Sequence, residues 1–260
     1  MNLLFIGDIV GSSGRKLVKE KLDDIKKSNN IDFTIANAEN VAGGLGITSS
    51  LAAYLFNCGI DVLTLGNHTW SKSEMLKTID YEEFVIRPAN VSANWPGRGF
   101  CIKNTSKGNI LVINLLGRVG MGILSNCPFE RADEMLEDIK KRFDIKITIV
   151  DFHAEATAEK QAFARYLDGR VSVVAGTHTH VQTADETIFE RGTGYITDVG
   201  MTGPIDSVIG MNTESSIKRF VEKVPVHYLV ADGFSKLSGI IAEIDEKTGR
   251  TLSIKRINVY

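Results

Sequence analysis

Cysteine is scarce in this 260-residue sequence. Cys58, Cys101 and Cys127 are odd in number, lie far apart and form no CxxC pair. That pattern excludes a disulfide framework and a thiolate zinc site, and it fits a reduced, cytoplasmic setting. Long apolar runs are also missing. None approaches the roughly 20 residues needed to span a bilayer, so no membrane partner is expected. The opening Met1–Asp8 has neither a basic n-region nor a small-residue cleavage site, and reads as a first strand rather than a signal peptide. There is no long basic block, and the formal net charge is −2. Polymeric nucleic acid, whose binding calls for a basic stripe, is therefore not an expected partner. A small anion held through metals is still compatible with that charge. Linkers, low-complexity tracts and internal repeats are absent as well. With 43% hydrophobic residues, the chain is read as one domain over residues 1–260 with a sizeable core.

What the sequence does have is a series of short, buried-looking apolar runs that end in the same kinds of residue. Val62–Leu65 runs into Gly66-Asn67-His68. A short, continuous, β-branched run of this kind reads as a parallel strand buried on both faces. Sites in α/β proteins are built at the carboxyl ends of such strands. Leu3–Gly7 leads to Asp8, Asp32–Asn37 to Glu39-Asn40, Ile145–Phe152 to His153, and Val171–Ala175 to Thr177-His178-Thr179-His180. In extended backbone, residues two apart point the same way, so His178 and His180 are expected to face one site.

Between the strands, helical spacing marks Val18, Leu22 and Ile25, a helix over about 48–57 with Thr48 as N-cap, and helices near 130–143 and 156–167. Hairpins are expected between Phe100–Lys103 and Asn109–Leu115, and between Gly239–Ile244 and Thr251–Asn258. Gly11-Ser12-Ser13-Gly14 reads first as a strand–helix turn with serines free to cap, and only second as a phosphate cradle. Ala42–Gly46 is either a plain loop or backbone that lets a ligand approach closely. Gly117–Pro128 is a mobile surface loop or a lid.

Four of the five histidines lie in the strand-end set. The fifth, His227, sits in a strand-like context and reads as structural. Turn asparagines and core histidines have no reason to collect selectively at strand ends. Imidazole with carboxylate suits zinc, iron or manganese. Six or seven ligands are too many for one tetrahedral zinc. They suit two metals about 3.5–4 Å apart, the arrangement used for displacement at phosphorus.

The order Asp, then Gly-Asn-His, then His, then Gly-x-His-x-His resembles the calcineurin-like metallophosphoesterases. Within them, Gly7–Gly11, Ala36–Gly44, Leu65–Trp70, Phe152–Thr157, Gly176–Asp185 and Ile196–Pro204 are similar to the YmdB-type proteins, essentially end to end. The resemblance implies an α/β fold, a four-layer α/β/β/α sandwich of two mixed sheets. It implies two metal ions, iron or manganese ahead of zinc, phosphodiesterase action on small cyclic nucleotides such as 2′,3′-cAMP, and homo-oligomers. It assigns Asp8 and His180 to one metal, Asn67, His153 and His178 to the other, and Glu39 to the bridge. The mechanism expected on that ligand set has a metal-bridging hydroxide as nucleophile and His68, beside ligand Asn67, as the general acid that protonates the leaving ribose oxygen. Two departures from the wider superfamily stand out. Val10 replaces the histidine of Asp-x-His, with Asn40 the natural substitute ligand, and Glu39 replaces a bridging Asp. An amidohydrolase is a poorer match, because there His-x-His comes early in a barrel and here it comes late. A regulatory protein with a vestigial metal site is the non-enzyme alternative.

Overall fold

Strand residues here are apolar on both faces, and the computed structural model shows why. It describes residues 1–223, 225 and 229–260, so His227 lies outside the described residues. The elements in chain order are β1 (Asn2–Ile6), β2 (Asp8–Ile9), α1 (Gly11–Ser28), β3 (Phe33–Asn37), α2 (Ser49–Asn57), β4 (Val62–Thr64), α3 (Met75–Thr78) and β5 (Val85–Ile86). They continue with β6 (Phe100–Thr105), β7 (Gly108–Leu116), α4 (Pro128–Arg142), β8 (Ile147–His153), α5 (Thr157–Tyr166) and β9 (Val173–Thr177). The last are β10 (Thr187–Ile188), β11 (Gly194–Ile196), β12 (Met201–Pro204), α6 (Thr213–Glu222), β13 (Ser235–Ile244) and β14 (Thr251–Val259).

The strands form two sheets. One runs β2-β12-β13-β1-β3-β4-β5, with β14 on β13, and the other runs β10-β11-β9-β8-β7-β6. Both are mixed. β1, β3, β4 and β5 are parallel while β13 runs against β1. Likewise β7, β8, β9 and β11 are parallel, with β6 and β10 antiparallel at the edges.

Side chains alternate between faces along a strand, and the alternation builds the layers. From β1, Leu3 and Phe5 pack into an apolar layer shared with Ile110, Val112, Ile147 and Ile149 of the other sheet. Leu4 and Ile6 point the opposite way, onto Val18 and Leu22 of α1 and Leu55 of α2. On the far side, Val150 and Phe152 of β8 pack on Leu136 of α4 and Phe163 of α5. The order of layers is helix, sheet, sheet, helix, as the resemblance implied.

Element boundaries differ in one informative place. α1 begins at Gly11 itself, with Val10 at the N-cap and no side-chain cap, so Ser12 and Ser13 lie inside the first turn and do not cap. A Cβ on Gly14 would lie 2.4 Å from the Thr202 carbonyl of β12, and one on Gly11 would lie 2.7 Å from Val230. Both glycines serve close packing. Thr48 caps α2 as expected, its hydroxyl accepting from the Leu51 amide at 3.3 Å.

Candidate functional site

The carboxyl ends of β3, β4, β8 and β9, with β2 alongside, bring every anticipated residue to one place. His153, the last residue of β8, is fully buried. Its Nε2 lies 3.0 Å from Glu39 Oε1, 3.0 Å from Asn67 Oδ1 and 3.0 Å from His178 Nδ1. Ligand atoms of Glu39, His153 and His178 all fall within 4.8 Å of one another. Beside this group is a second one. His180 Nε2 is 3.7 Å from Asp8 Oδ1 and 3.1 Å from Asn40 Nδ2. Asn40 Nδ2 is in turn 3.5 Å from Glu39 Oε1, so the Glu39 carboxylate lies between the two groups. His68 stands at the edge, its Nε2 3.2 Å from Asn67 Nδ2 and its backbone N–H donating to Glu39 Oε2 at 3.0 Å.

The two histidines of His-x-His do share the site, but not because the backbone is extended. β9 ends at Thr177, and both histidines adopt left-handed backbone, with φ of 102° at His178 and 66° at His180. Non-glycine residues rarely take this conformation, and it persists only where the surroundings over-determine it. Asp198 does so here. Its Oδ2 accepts from the Thr179 amide at 3.0 Å and from the Thr179 hydroxyl at 2.8 Å. The same oxygen is 2.8 Å from Lys160 Nζ, and both charged groups are buried. The His178 amide donates to Asp8 Oδ2 at 3.3 Å, and the Ile209 carbonyl lies 2.8 Å from His180 Nδ1.

His153 has its own support. Nδ1 lies 2.9 Å from the Thr177 hydroxyl, which donates to Asp151 Oδ1 at 2.6 Å. Asp151 also accepts from Asn37 at 3.1 Å and from the Thr64 hydroxyl. A partner on the far nitrogen fixes the tautomer and the ring plane of a ligand histidine. Gly66 provides the room. A Cβ there would lie 2.3 Å from Glu39 Oε2 and 2.4 Å from His153 Nε2.

Sequence reasoning passed over Asp151, Lys160, Asp198 and Glu155, whose Oε2 is 3.3 Å from His178 Nε2. Asp151 was readable, since it precedes His153 by two on a strand and so shares its face. Lys160 and Asp198 meet across 38 residues, and no local spacing announces the pair.

One buried cation, His153, dominates the electrostatics. Burial alone would raise Glu39, but the His153 imidazolium and the His68 amide outweigh it and hold the carboxyl down at about 2. Burial likewise opposes charge on His153, and Glu39 beside it raises the imidazole to about 9. Burial and the His153 charge push His178 down to about 3. Burial raises Asp8 to about 6. His68 is lowered, chiefly by burial. Among the described residues, Asp8 Oδ1 is buried without a hydrogen-bond partner. An orphaned carboxylate oxygen within a set of carboxylates, carboxamides and imidazoles fits metal ions of the zinc, iron or manganese type.

A cavity of about 520 Å3 opens over the cluster. Glu39, Asn40, His68, Glu155, His178 and His180 form its floor, and Leu45, Ile209, Met211 and Phe220 are among its apolar walls. Of the Ala42–Gly46 glycines, Gly43 faces open space while Gly44 is pressed against Val230 and Met211. The 117–128 loop comes up to the site, the Glu155 amide donating to the Met121 sulfur at 3.2 Å.

Comparison with known proteins agrees with this geometry. The family model described as YmdB-like protein matches residues 4–257. The chain is 47% identical over 257 residues to the 2′,3′-cyclic-nucleotide 2′-phosphodiesterase of Bacillus subtilis (strain 168), covering 99% of this chain and 96% of that protein. A crystal structure of a hypothetical protein from Thermus thermophilus superposes with a TM-score of 0.92 at 37% identity, covering 100% of this chain and 99% of the other. A crystal structure of a novel phosphatase from Mycoplasma pneumoniae superposes with a TM-score of 0.93 at 35% identity, covering 100% and 93%.

Proposed function

Since this chain belongs to the YmdB-like protein family, we propose that it is a metal-dependent phosphoric diester hydrolase acting on small cyclic nucleotides such as 2′,3′-cAMP. The observation that carries this reading is the paired cluster, with Glu39 between the His153 group and the Asp8–Asn40–His180 group. Asp8, Asn40 and His180 would hold one metal ion, and Asn67, His153 and His178 the other, with Glu39 shared. A half-turn of the Asn40 carboxamide would present its oxygen, a neutral hard ligand that suits iron or manganese. When bound, the ions would supply a nucleophilic water near neutral pH and neutralise charge growing on the phosphoryl oxygens.

The chain's own side chains would do the rest. His68, half-buried at the rim and not part of either ligand group, is the acid for the departing ribose oxygen. Its backbone amide on Glu39 and its ring on Asn67 fix it beside both groups. Leu45, Ile209, Met211 and Phe220 give the apolar wall on which a nucleobase would lie. A cavity of this size accepts one mononucleotide.

The enzyme would work as one domain and in the cytoplasm. Among the described residues, no helix is long and apolar enough to cross a membrane. Homo-oligomers are supported by α6, which exposes Ile217 and Val221, apolar side chains of the kind found at association surfaces. The test is turnover by the metal-loaded protein of 2′,3′-cAMP, bis-p-nitrophenyl phosphate and simple monoesters. Cyclic diester hydrolysis above monoester hydrolysis is the expected result. Monoester hydrolysis alone, or none, would overturn the proposal.

A further inference from the structure

A second cavity, of about 740 Å3, shares no residue with the metal-type cluster. It opens between the loop after β5, the 117–127 loop and the start of α4. Four arginines line it, Arg87, Arg98, Arg118 and Arg131, against two carboxylates, Glu130 and Glu134. Only Arg131 has an ion pair among the described residues, with Glu134 at 2.9 Å on the exposed side.

The other guanidiniums are held by neutral groups or by none. Buried Arg87 donates to the carbonyls of Pro88 at 2.8 Å, Trp95 at 3.2 Å and Pro96 at 3.3 Å. A guanidinium has five N–H donors, so three carbonyls leave donors over. Arg98 donates to the Asp80 carbonyl at 3.3 Å. Among the described residues, the Arg118 side chain has no partner. The Nε of Arg131 is buried with no acceptor among the described residues. Burial, and then the charge of Arg131, push the Arg87 guanidinium below its ordinary value. The same cavity receives the N-terminus of α4, a 15-residue helix with Glu130 in its first turn, whose N-cap residue Cys127 makes no side-chain cap among the described residues. A helix N-terminus adds partial positive charge.

Uncompensated guanidiniums, a buried donor without an acceptor and an uncapped helix start all ask for oxygen anions. We propose that this cavity is a second ligand site, separate from the hydrolytic one, for a compact small molecule carrying phosphate or carboxylate groups. Guanidiniums pair with either oxyanion in the same forked geometry. Phe100 is the one aromatic ring in the lining among the described residues, so a nucleoside would find little to stack on, and a compact polyanion fits better.

The proposal stands apart from the assigned reaction and can fail without it. Calorimetric titration of the metal-loaded protein with inorganic phosphate, and separately with succinate, tests it. Saturable binding of at least one should survive His153→Ala, which breaks the metal-type cluster. It should weaken about tenfold or more in Arg118→Ala/Arg131→Ala, since a charge-assisted hydrogen bond is worth about that factor or more. Tighter phosphate would identify a phosphorylated ligand, and tighter succinate a polycarboxylate. Arg118→Glu, at an exposed position, gives the same loss by charge reversal where the double variant melts early. Binding that disappears in His153→Ala, or that the arginine variants leave intact, would overturn the second site, as would no saturable binding of either anion.

Discussion

Loading the metal-free protein with manganese at pH 7 should release about one proton per chain, and the proton should come from His153. In the metal-free state Glu39 holds that imidazole charged, up to about 9. A histidine binds metal only as the neutral ring. At pH 7 the ring lies two pH units below its pKa, so it is almost wholly protonated. Each unit is worth about 1.4 kcal/mol, so displacing the proton costs about 3 kcal/mol of binding free energy. Apparent metal affinity should therefore rise about tenfold per pH unit from near 6 upward and level off above about 9. Below about 6 the slope should steepen, because Asp8 then carries a proton too. His178, held at about 3, should contribute no proton in this window. Calorimetry in buffers of different ionisation enthalpy counts the protons, and chelator competition across pH gives the slope. Glu39→Gln removes the charge that raises His153. Burial then weighs more heavily against the ring's charge, with only Asp8 and Asp151 left to raise it, and loading this variant near pH 7 should release fewer protons even as it binds metal more weakly. A flat affinity between pH 6.5 and 8.5 in the unaltered protein, or proton release undiminished in Glu39→Gln, would refute the reasoning.

The same charge state sets a stability trend in the metal-free protein. A histidine raised from 6.5 to about 9 stabilises the fold fully below 6.5, so melting temperature should fall as pH climbs through 9. His68→Ala should retain both metals yet lose roughly 10²–10⁴ in turnover of 2′,3′-cAMP. Bis-p-nitrophenyl phosphate, whose leaving group needs little protonation, should suffer less, and equal losses would remove His68 from the acid role. Asn40→Ala should drop metal content toward one ion per chain while sparing the Asn67–His153–His178 group, and two tightly held ions would contradict that. Asp198→Ala leaves Lys160 charged and buried without its partner, so it should cost about 3–5 kcal/mol of stability in chemical denaturation. An unchanged midpoint would mean that the pair does not hold the loop.

The residues gathered at the site were legible because they rest on local pattern, whereas the order of layers came from the family resemblance. Runs such as Ile147–Phe152 carry apolar residues toward both faces and read as buried strands. Chemistry at the ends of such runs then converges wherever parallel strands share a direction. What could not be read was anything set by contacts distant in sequence. The turn at Gly11–Gly14 reads as a capped connection until β12 is seen pressing on it. His178 and His180 look extended until Asp198 and Lys160 are seen forcing the turn. The arginine cavity joins residues from 87 to 131 across three segments, none of which is basic enough alone to attract notice.

Gly66 carries a consequence for how such sites are found. Its contribution is a missing side chain, a volume kept clear between Glu39 and His153. Surveys that delete side chains one at a time detect residues by what is lost, and here there is nothing to delete. The position would show itself only when something is added, where a single methyl group would meet both the carboxylate and the imidazole at once. For a designer transplanting this centre into another scaffold, copying the ligands alone would therefore omit a specification. The empty space has to be copied with them.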